Sequence, residues 1–453
     1  MSKTTDSSKP VVFIGAAGQM CRVAIERFTV ANNVPLVLTD INTKPLEELI
    51  TKLPSGQASV RKLDLFDPVA LLSVVQGARL VVLGAGPFSK TSGPVLSACL
   101  KAKVPYLDFG DDVESTQAAM DLDDQAKESG IPCFIGCGES PGMSNVMAVD
   151  ISRRLDIVDE LHLCWLVGDE RPVTGKAVLY HLLHIASGPC LTWANGRPTV
   201  TESWIETDYA SILRSGETLL HETAHPEPVT LPRLFPSATR IRCLGGMEPA
   251  QVNGIARGLG NAVRNGQISA DDAVEWLFNL TVNPPTLNDL TSSCRGVLQH
   301  FNGNASVSEL WQLINHVYKQ TGPWKHAFQG MLQQVWNGET TLTDLFKFIV
   351  SVARGQTMEN HGGLLVRAVG KRQGRPSVIT IRTPKSGKNS YLCQSMGTCT
   401  GTSCAAFMTM ALAGNEKLCG VLNPEDWAEP EAFYKALLLV GTPADELPET
   451  VVN

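Results

Sequence analysis

Positive charge is in short supply in this sequence: 38 lysines and arginines stand against 45 aspartates and glutamates, a formal net charge of −7. Without a basic excess nothing neutralises a phosphate backbone or an anionic bilayer, so a small-molecule partner is expected, with no nucleic acid and no membrane. Aromatic residues make up 6% of the chain and form no basic, aromatic-interleaved stripe, which removes a second nucleic-acid signature. The longest weakly polar run, from about Thr402 to Gly414, is too short to span a bilayer. The opening MSKTTDSSKP lacks the apolar core of a secretory signal, and a cytoplasmic protein is expected. The 12 cysteines contain no CxxC pair, and Cys21, Cys99, Cys133 and Cys164 sit among apolar or small neighbours, as buried reduced thiols do. There is no HExxH and no ligand-spaced His/Asp set, so no metal site is expected, and GES at 138 to 140 is not read as a nucleophile elbow, so no serine hydrolase is expected.

At 453 residues the chain is long enough for two or three domains. Its first third alternates short apolar runs with helical patterns: VVFI (11 to 14), PLVLTD (35 to 40), VRKLDL, ARLVVLGAG (78 to 86), VPYLDFG (104 to 110) and IPCFIGCG (131 to 138). Six such strands predict an α/β fold, a Rossmann-type doubly wound parallel sheet over residues 1–140 with its ligand site at the strands' C-terminal ends. From 141 to 390 the texture predicts a second α/β domain. Its longer strands are ELHLCWLV (160 to 167), TRIRCLGG (239 to 246), LLVRAVGKR (364 to 372) and SVITIRTP (377 to 384), the last two a hairpin around Gln373 to Pro376. Amphipathic helices fill about 250–356, with caps at Ser269, at Ser306 or Ser308, and at a threonine before LTDLFKFIVSVARG. Residues 391–453 are expected to pack back on the first domain through GTSCAAFMTMALAG.

The chemistry begins at the first turn. Gly15, Ala16, Ala17, Gly18, Gln19 and Met20 follow the first strand and open a helix, where small residues let a diphosphate approach unpaired N–H groups. Ala17 and Met20 depart from a strict GxGxxG, so placement carries the reading. Asp40 ends the second strand about 22 residues after Gly18, the spacing of a ribose-binding acid. Such a carboxylate repels a 2′-phosphate and favours NAD(H) over NADP(H), although Lys44 stands near enough to receive one, and Asp40 can equally be a turn or cap residue. Asp64, closing the third strand, borders the adenine pocket or caps the next helix.

The stretches LGAGPFSKTSGPVLSACLKAKVPYLDFGDD and GCGESPGMSNVMAVD, and later YLCQSMGTCTGTSCAAFMTMALAG with GVLNPEDW, resemble the saccharopine dehydrogenase-like oxidoreductases, the saccharopine reductase type in particular. The resemblance covers 11 to 150 well, returns at 391 to 425 and is faint between 170 and 360. It implies that Gly86, Pro87 and Phe88 lie against the nicotinamide, that Ser140 and Pro141 begin the corner joining the domains beside the active site, and that the protein is an NAD(P)H-dependent enzyme. The middle of the chain matches no amino-acid-binding positions of saccharopine reductases, so the substrate stays open.

Hydride transfer also needs a proton donor. Asp108 and the pair Asp111 and Asp112 follow the fifth strand at its ligand-facing end, while Cys137 and Glu139 flank the exit of the sixth. Lys176, Tyr180, His181 and His184 cluster in one helical pattern, where Tyr180 or His181 is a candidate general acid. His361 and Arg367 are further candidates, the latter as a carboxylate clamp. The expected activity is reduction, or formation, of a C=N bond in an amino-acid- or amine-derived molecule by a homodimer. The alternatives are a C=O or C=C reductase, a redox-neutral enzyme on the same scaffold, or a non-catalytic partner-binding module.

Overall fold

A computed structural model describes residues 8–168, 175–214, 216–282, 307–354, 361–414 and 418–452. The first sheet grows from β1 (Val11–Ile14), β2 (Leu36–Asp40), β3 (Ala58–Lys62), β4 (Leu80–Leu83), β5 (Tyr106–Asp108) and β6 (Pro132–Phe134). All run parallel, in the order β6-β5-β4-β1-β2-β3. β1 and β4 are buried at every position because both faces of the sheet are covered, which is why they read as unbroken apolar runs. The crossovers include α1 (Gln19–Ala31), α2 (Lys44–Ile50), α3 (Pro68–Val75), α4 (Phe88–Ala102), α5 (Val113–Met120) and α6 (Asp123–Ser129). This is the expected Rossmann-type sheet with two differences: β3 starts two residues earlier than VRKLDL, and a seventh strand joins the β6 edge from far downstream.

After α7 (Met143–Ser152), β7 (Ile157–Val167) enters a second, mixed sheet. α8 (Lys176–Ser187) precedes β8 (Pro189–Ala194), β9 (Arg197–Glu202), β10 (Thr207–Ala210) and β11 (Thr218–Glu222). α9 (Glu227–Thr230) leads to β12 (Arg240–Met247), and β13 (Gly363–Arg372) with β14 (Arg375–Arg382) makes the expected hairpin. β15 (Gly420–Leu422) is the seventh strand of the first sheet, and β16 (Glu449–Val452) closes the second beside β14. The order is β10-β11-β12-β7-β13-β14-β16, with β8 and β9 branching from β12, and β7 parallel only to β12.

Between β12 and β13 lie α10 (Gln251–Arg264), α11 (Ala270–Val282) and helices Val307–Trp336 and Leu342–Ala353. Ser269 accepts from Asp272 N at 3.0 Å and Thr341 from Asp344 N at 3.1 Å, the caps expected of such starts. Ser306 lies outside the described residues. Leu161, Leu163 and Trp165 of β7 belong to the same apolar core as β1, β4 and α7, so the two sheets share one interior. Helix Met396–Ala413 packs along α1, and no described helix is long and apolar enough to cross a membrane.

Candidate functional site

The glycine turn is shaped for close approach. Gly15 has φ +82°, and a Cβ there would stand 2.5 Å from the backbone nitrogen of Ala85, so neither backbone nor space admits a side chain. α1 starts at Gln19 with no side-chain cap and no acid in its first turn, leaving its amide end open to an anion; Gly18 and Gln19 are exposed and Met20 is half-buried. Ala16 is buried, and its N–H donates to Thr39 O at 3.0 Å. Asp40 accepts from Ala17 N at 3.1 Å and from Asn42 N at 2.9 Å, which holds the acid against the turn and leaves lone pairs for a ribose hydroxyl. Lys62 lies directly across from Asp40 in the β2–β3 register and is exposed, as is Lys44. These residues fit a nicotinamide dinucleotide. The basis for preferring NAD(H) is weakened, because two lysines flank the one acid that would repel a 2′-phosphate. Asp64 is exposed and accepts from Phe66 N at 3.0 Å in the turn before α3.

Three chain segments converge at the C-terminal end of β4 and β5. The Gly86-Pro87-Phe88 turn opens α4, and Phe88 packs edge-on against Phe109, their centroids 5.5 Å apart. Ala177 of α8 lies over Gly86, at 3.5 Å from where a Cβ would sit. Asp112 accepts from Ser89 N at 2.9 Å and so ties the β5 exit to the start of α4. At the Ser140-Pro141 corner, Gly142 has φ +130° and is packed on Gly138, so that turn too requires glycine.

His181 of α8 descends into this junction. Its Nδ1 lies 3.1 Å from Asp112 Oδ1 and its Nε2 3.2 Å from Asp111 Oδ2. Burial alone would press the imidazole toward neutrality, but the two carboxylates outweigh it and lift its pKa to about 9. In return, burial would raise Asp112, yet the hydrogen bond to His181 brings it below its ordinary value; burial leaves Asp111 above its own. The histidine is therefore an imidazolium at neutral pH, gripped on both nitrogens.

The other sequence candidates lie elsewhere. Asp108 is buried and accepts from Tyr106 Oη (2.7 Å), Gly110 N (3.0 Å) and Gly136 N (2.8 Å), so it clamps the β5 and β6 exits together. Tyr180 hydrogen-bonds Asp271 on the exposed side of α8, and His184 pairs with Glu114 at 3.1 Å. Cys137 is buried, and burial pushes its thiol well up. His361 meets Glu248 at 3.3 Å, and Arg367 joins Arg242, Asp208 and His162 on the face of the second sheet turned away from the shared core.

Sequence reasoning missed the inner wall. His225 lies edge-on to His181 at 6.0 Å, and its Nδ1 is 3.3 Å from Glu227 Oε2. Glu227 is fully buried, accepts also from Ser144 (2.8 Å) and from Ser140, and burial is outweighed by these partners so that its pKa stays low. The only signal was the HPE string, two titratable residues around a proline. Donor atoms of Asp111, Asp112 and His181 lie within 4.8 Å of one another, as do those of His225, Glu227 and Cys243. In the first His181 is hydrogen-bonded to the acids, in the second His225 to Glu227, and no ligand spacing in the sequence announced either. Beyond His225, rings continue to Trp165 (5.7 Å), Trp204 (6.3 Å from Trp165) and His221, stacked on Trp204 at 5.5 Å. Arg257 donates to Trp204 O at 3.0 Å and to Glu339 at 2.8 Å. Buried here with no protein hydrogen-bond partner are Trp165 Nε1, Trp204 Nε1, both nitrogens of His221 and Arg257 Nη2.

Residues 11–134 match the family model of the saccharopine dehydrogenase NADP binding domain. Among solved structures, the chain is similar to apo saccharopine dehydrogenase (L-Glu forming) from Saccharomyces cerevisiae, with a TM-score of 0.62 and 14% identity over 98% of this chain and 100% of that one. At that identity the likeness is one of fold. A short-chain dehydrogenase/reductase from Veillonella parvula matches at a TM-score of 0.19 and 17% identity over 22% of this chain and 46% of its own. Pen from Bacillus thuringiensis matches at 0.25 and 12% over 28% and 50%; neither carries an argument. No curated protein matches the chain in sequence. The glycine turn, the matched nucleotide-binding domain and the two-sheet fold support an NAD(P)-dependent oxidoreductase whose first domain is similar to the saccharopine dehydrogenase NADP binding domain.

Proposed function

We propose that the protein reduces, or in reverse forms, a C=N bond in an amine- or amino-acid-derived small molecule, with NADP(H) as the cofactor form. The observation that carries this reading is His181, an imidazolium held between Asp111 and Asp112 beside the Gly86-Pro87-Phe88 turn. When bound, the nicotinamide supplies or accepts hydride, and the chain has to provide the proton and a place for the charge.

An imine accepts hydride best once its nitrogen is protonated; with the substrate nitrogen taking the place of Asp111 at Nε2, an acid with a pKa of about 9 can hand over that proton at neutral pH. The positive charge then moves from His181 to the substrate while Asp111 and Asp112 stay beside it, so the carboxylates stabilise the iminium as they stabilised the imidazolium. Ketone reduction would develop negative charge on oxygen next to the same carboxylates, which oppose it. Asp112 fixes the ring through Nδ1 and is itself fixed by Ser89 N, a positioning role. The wall behind His181 continues through His225 to Trp165, Trp204 and Arg257. Trp and Arg nitrogens only donate, so the three unpaired ones call for an acceptor-bearing tail such as a carboxylate. NADP(H) rests on Lys62 and Lys44 beside Asp40 and on the type of nucleotide domain matched.

The test is NADPH oxidation on a panel of cyclic imines, amine and oxo-acid pairs, ketones and enones. Turnover is expected with the C=N substrates, fastest where a carboxylate lies remote from the imine. Turnover confined to ketones or enones would overturn the assignment of bond type.

A further inference from the structure

Glu227 is fully buried, and among the described residues its only charged partner is His225. A carboxylate taken out of water needs a counter-charge in firm contact. The contact here is loose: His225 Nδ1 stands 3.3 Å from Glu227 Oε2, where a charge-assisted pair closes to about 2.7–2.9 Å. That separation is instead the edge of a tetrahedron whose centre lies about 2.0–2.1 Å from both atoms. Cys243 supplies a third donor, and the three donor atoms all lie within 4.8 Å of one another. Pro226, with φ −66°, fixes the backbone between His225 and Glu227, so one short turn at the start of α9 carries two of the three. Thr223 N donates to Cys243 O at 3.1 Å and moors that turn to β12, where Cys243 lies on the side facing the shared core. The other carboxylate oxygen, Oε1, accepts from Ser140 and, at 2.8 Å, from Ser144, which fixes the carboxylate while Oε2 meets His225. Hydrogen bonds of this kind orient the ligating carboxylates of metal sites.

We propose that His225, Glu227 and Cys243 bind a zinc ion, through Nδ1, Oε2 and Sγ, at the junction of the two sheets. One nitrogen, one oxygen and one sulfur donor, all buried, suit zinc, whereas calcium and magnesium take oxygen donors. On binding, the Cys243 thiol gives its proton to solvent and ligates as the thiolate. Three protein ligands leave a fourth position for water. Zinc with one carboxylate, one thiolate and a neutral imidazole carries no net charge, so it leaves the balance between His181 and its two acids intact although the His181 ring lies 6.0 Å from that of His225. The proposal does not depend on the reaction assigned above.

The full chain, stripped with a chelator and titrated with zinc sulfate, is expected to take up about one zinc per chain and to release about one proton with it, the zinc surviving dialysis and read by atomic emission. Cobalt chloride in place of zinc should give a thiolate-to-cobalt charge-transfer band in the near ultraviolet and the strong visible bands of a four-coordinate ion. Ser144→Ala leaves all three donors in place and should weaken zinc binding by about 10- to 100-fold, while Cys243→Ser, which removes a donor, should weaken it further and abolish the charge-transfer band. Circular dichroism checks that each variant is folded, and the Ser144 variant keeps the test open if the Cys243 variant is not. A wild-type chain that holds neither zinc nor cobalt after dialysis, or folded variants with the zinc affinity and cobalt spectrum of wild type, would overturn the proposal.

Discussion

Replacing His181 with glutamine is expected to lower kcat by about 100- to 10,000-fold, the usual range for losing a positioned general acid, while leaving NADPH binding within a few-fold of wild type. Glutamine keeps a hydrogen bond to Asp112 but cannot carry or release the proton. The pH profile separates this from a packing defect. In wild type, kcat/KM should fall as pH rises through about 9, where the imidazolium loses its proton, and the His181→Gln profile should lack that limb. Asp112→Asn removes one of the two carboxylates that hold the pKa up, so its limb should move down toward 6.5. Linkage gives the same groups a stability signature. The folded pKa of His181 is raised above its unfolded value, so its contribution is complete below pH 6.5 and is lost as pH climbs through about 9.

Glu227→Ala should destabilise the fold by about 3–5 kcal/mol in urea titration, the cost of breaking a buried, hydrogen-bonded pair from one side. Three groups lose this acceptor at once: the hydroxyls of Ser140 and Ser144, the latter left with only Asn145 Oδ1 at 3.2 Å, and Nδ1 of His225. Since Ser140 sits at the corner between the two sheets and Ser144 in α7, the loss falls on the junction itself. Glu227→Gln keeps one acceptor oxygen and should restore more than half of the deficit. Because the folded pKa of Glu227 is lowered, its contribution is present above its ordinary value and disappears as pH falls through the folded one. A glutamate whose removal cost under about 1 kcal/mol would show the junction to be held by apolar packing alone.

What could be read from the sequence follows from where the physics is local. Buried parallel strands must be apolar on both faces, so VVFI and LVVL announced themselves, and a glycine turn between such a strand and a helix needs only short-range sterics. β9 alternates exposed and half-buried positions (RPTVTE), and β15 is three residues long, so neither carries an apolar run to recognise. The helical face bearing His181 was legible from periodicity, whereas its acid partners lie 69 and 70 residues earlier and meet it only because α8 folds back over the first sheet. Asp108 has the residue type and strand-end position of a proton donor, but the three donors that occupy it come from Tyr106, Gly110 and Gly136, a tertiary arrangement. His225 and Glu227 depend on β11 running beside β12, and nothing within their own segment records that.

The measurement closest to the core of the account is a titration of purified protein with NADPH and, separately, NADH, following nicotinamide fluorescence. Saturable binding is predicted, tighter for NADPH, and abolished by Gly15→Val because a Cβ there meets the Ala85 backbone. Failure of both cofactors to bind the wild-type chain would contradict the dinucleotide site and the oxidoreductase chemistry built on it.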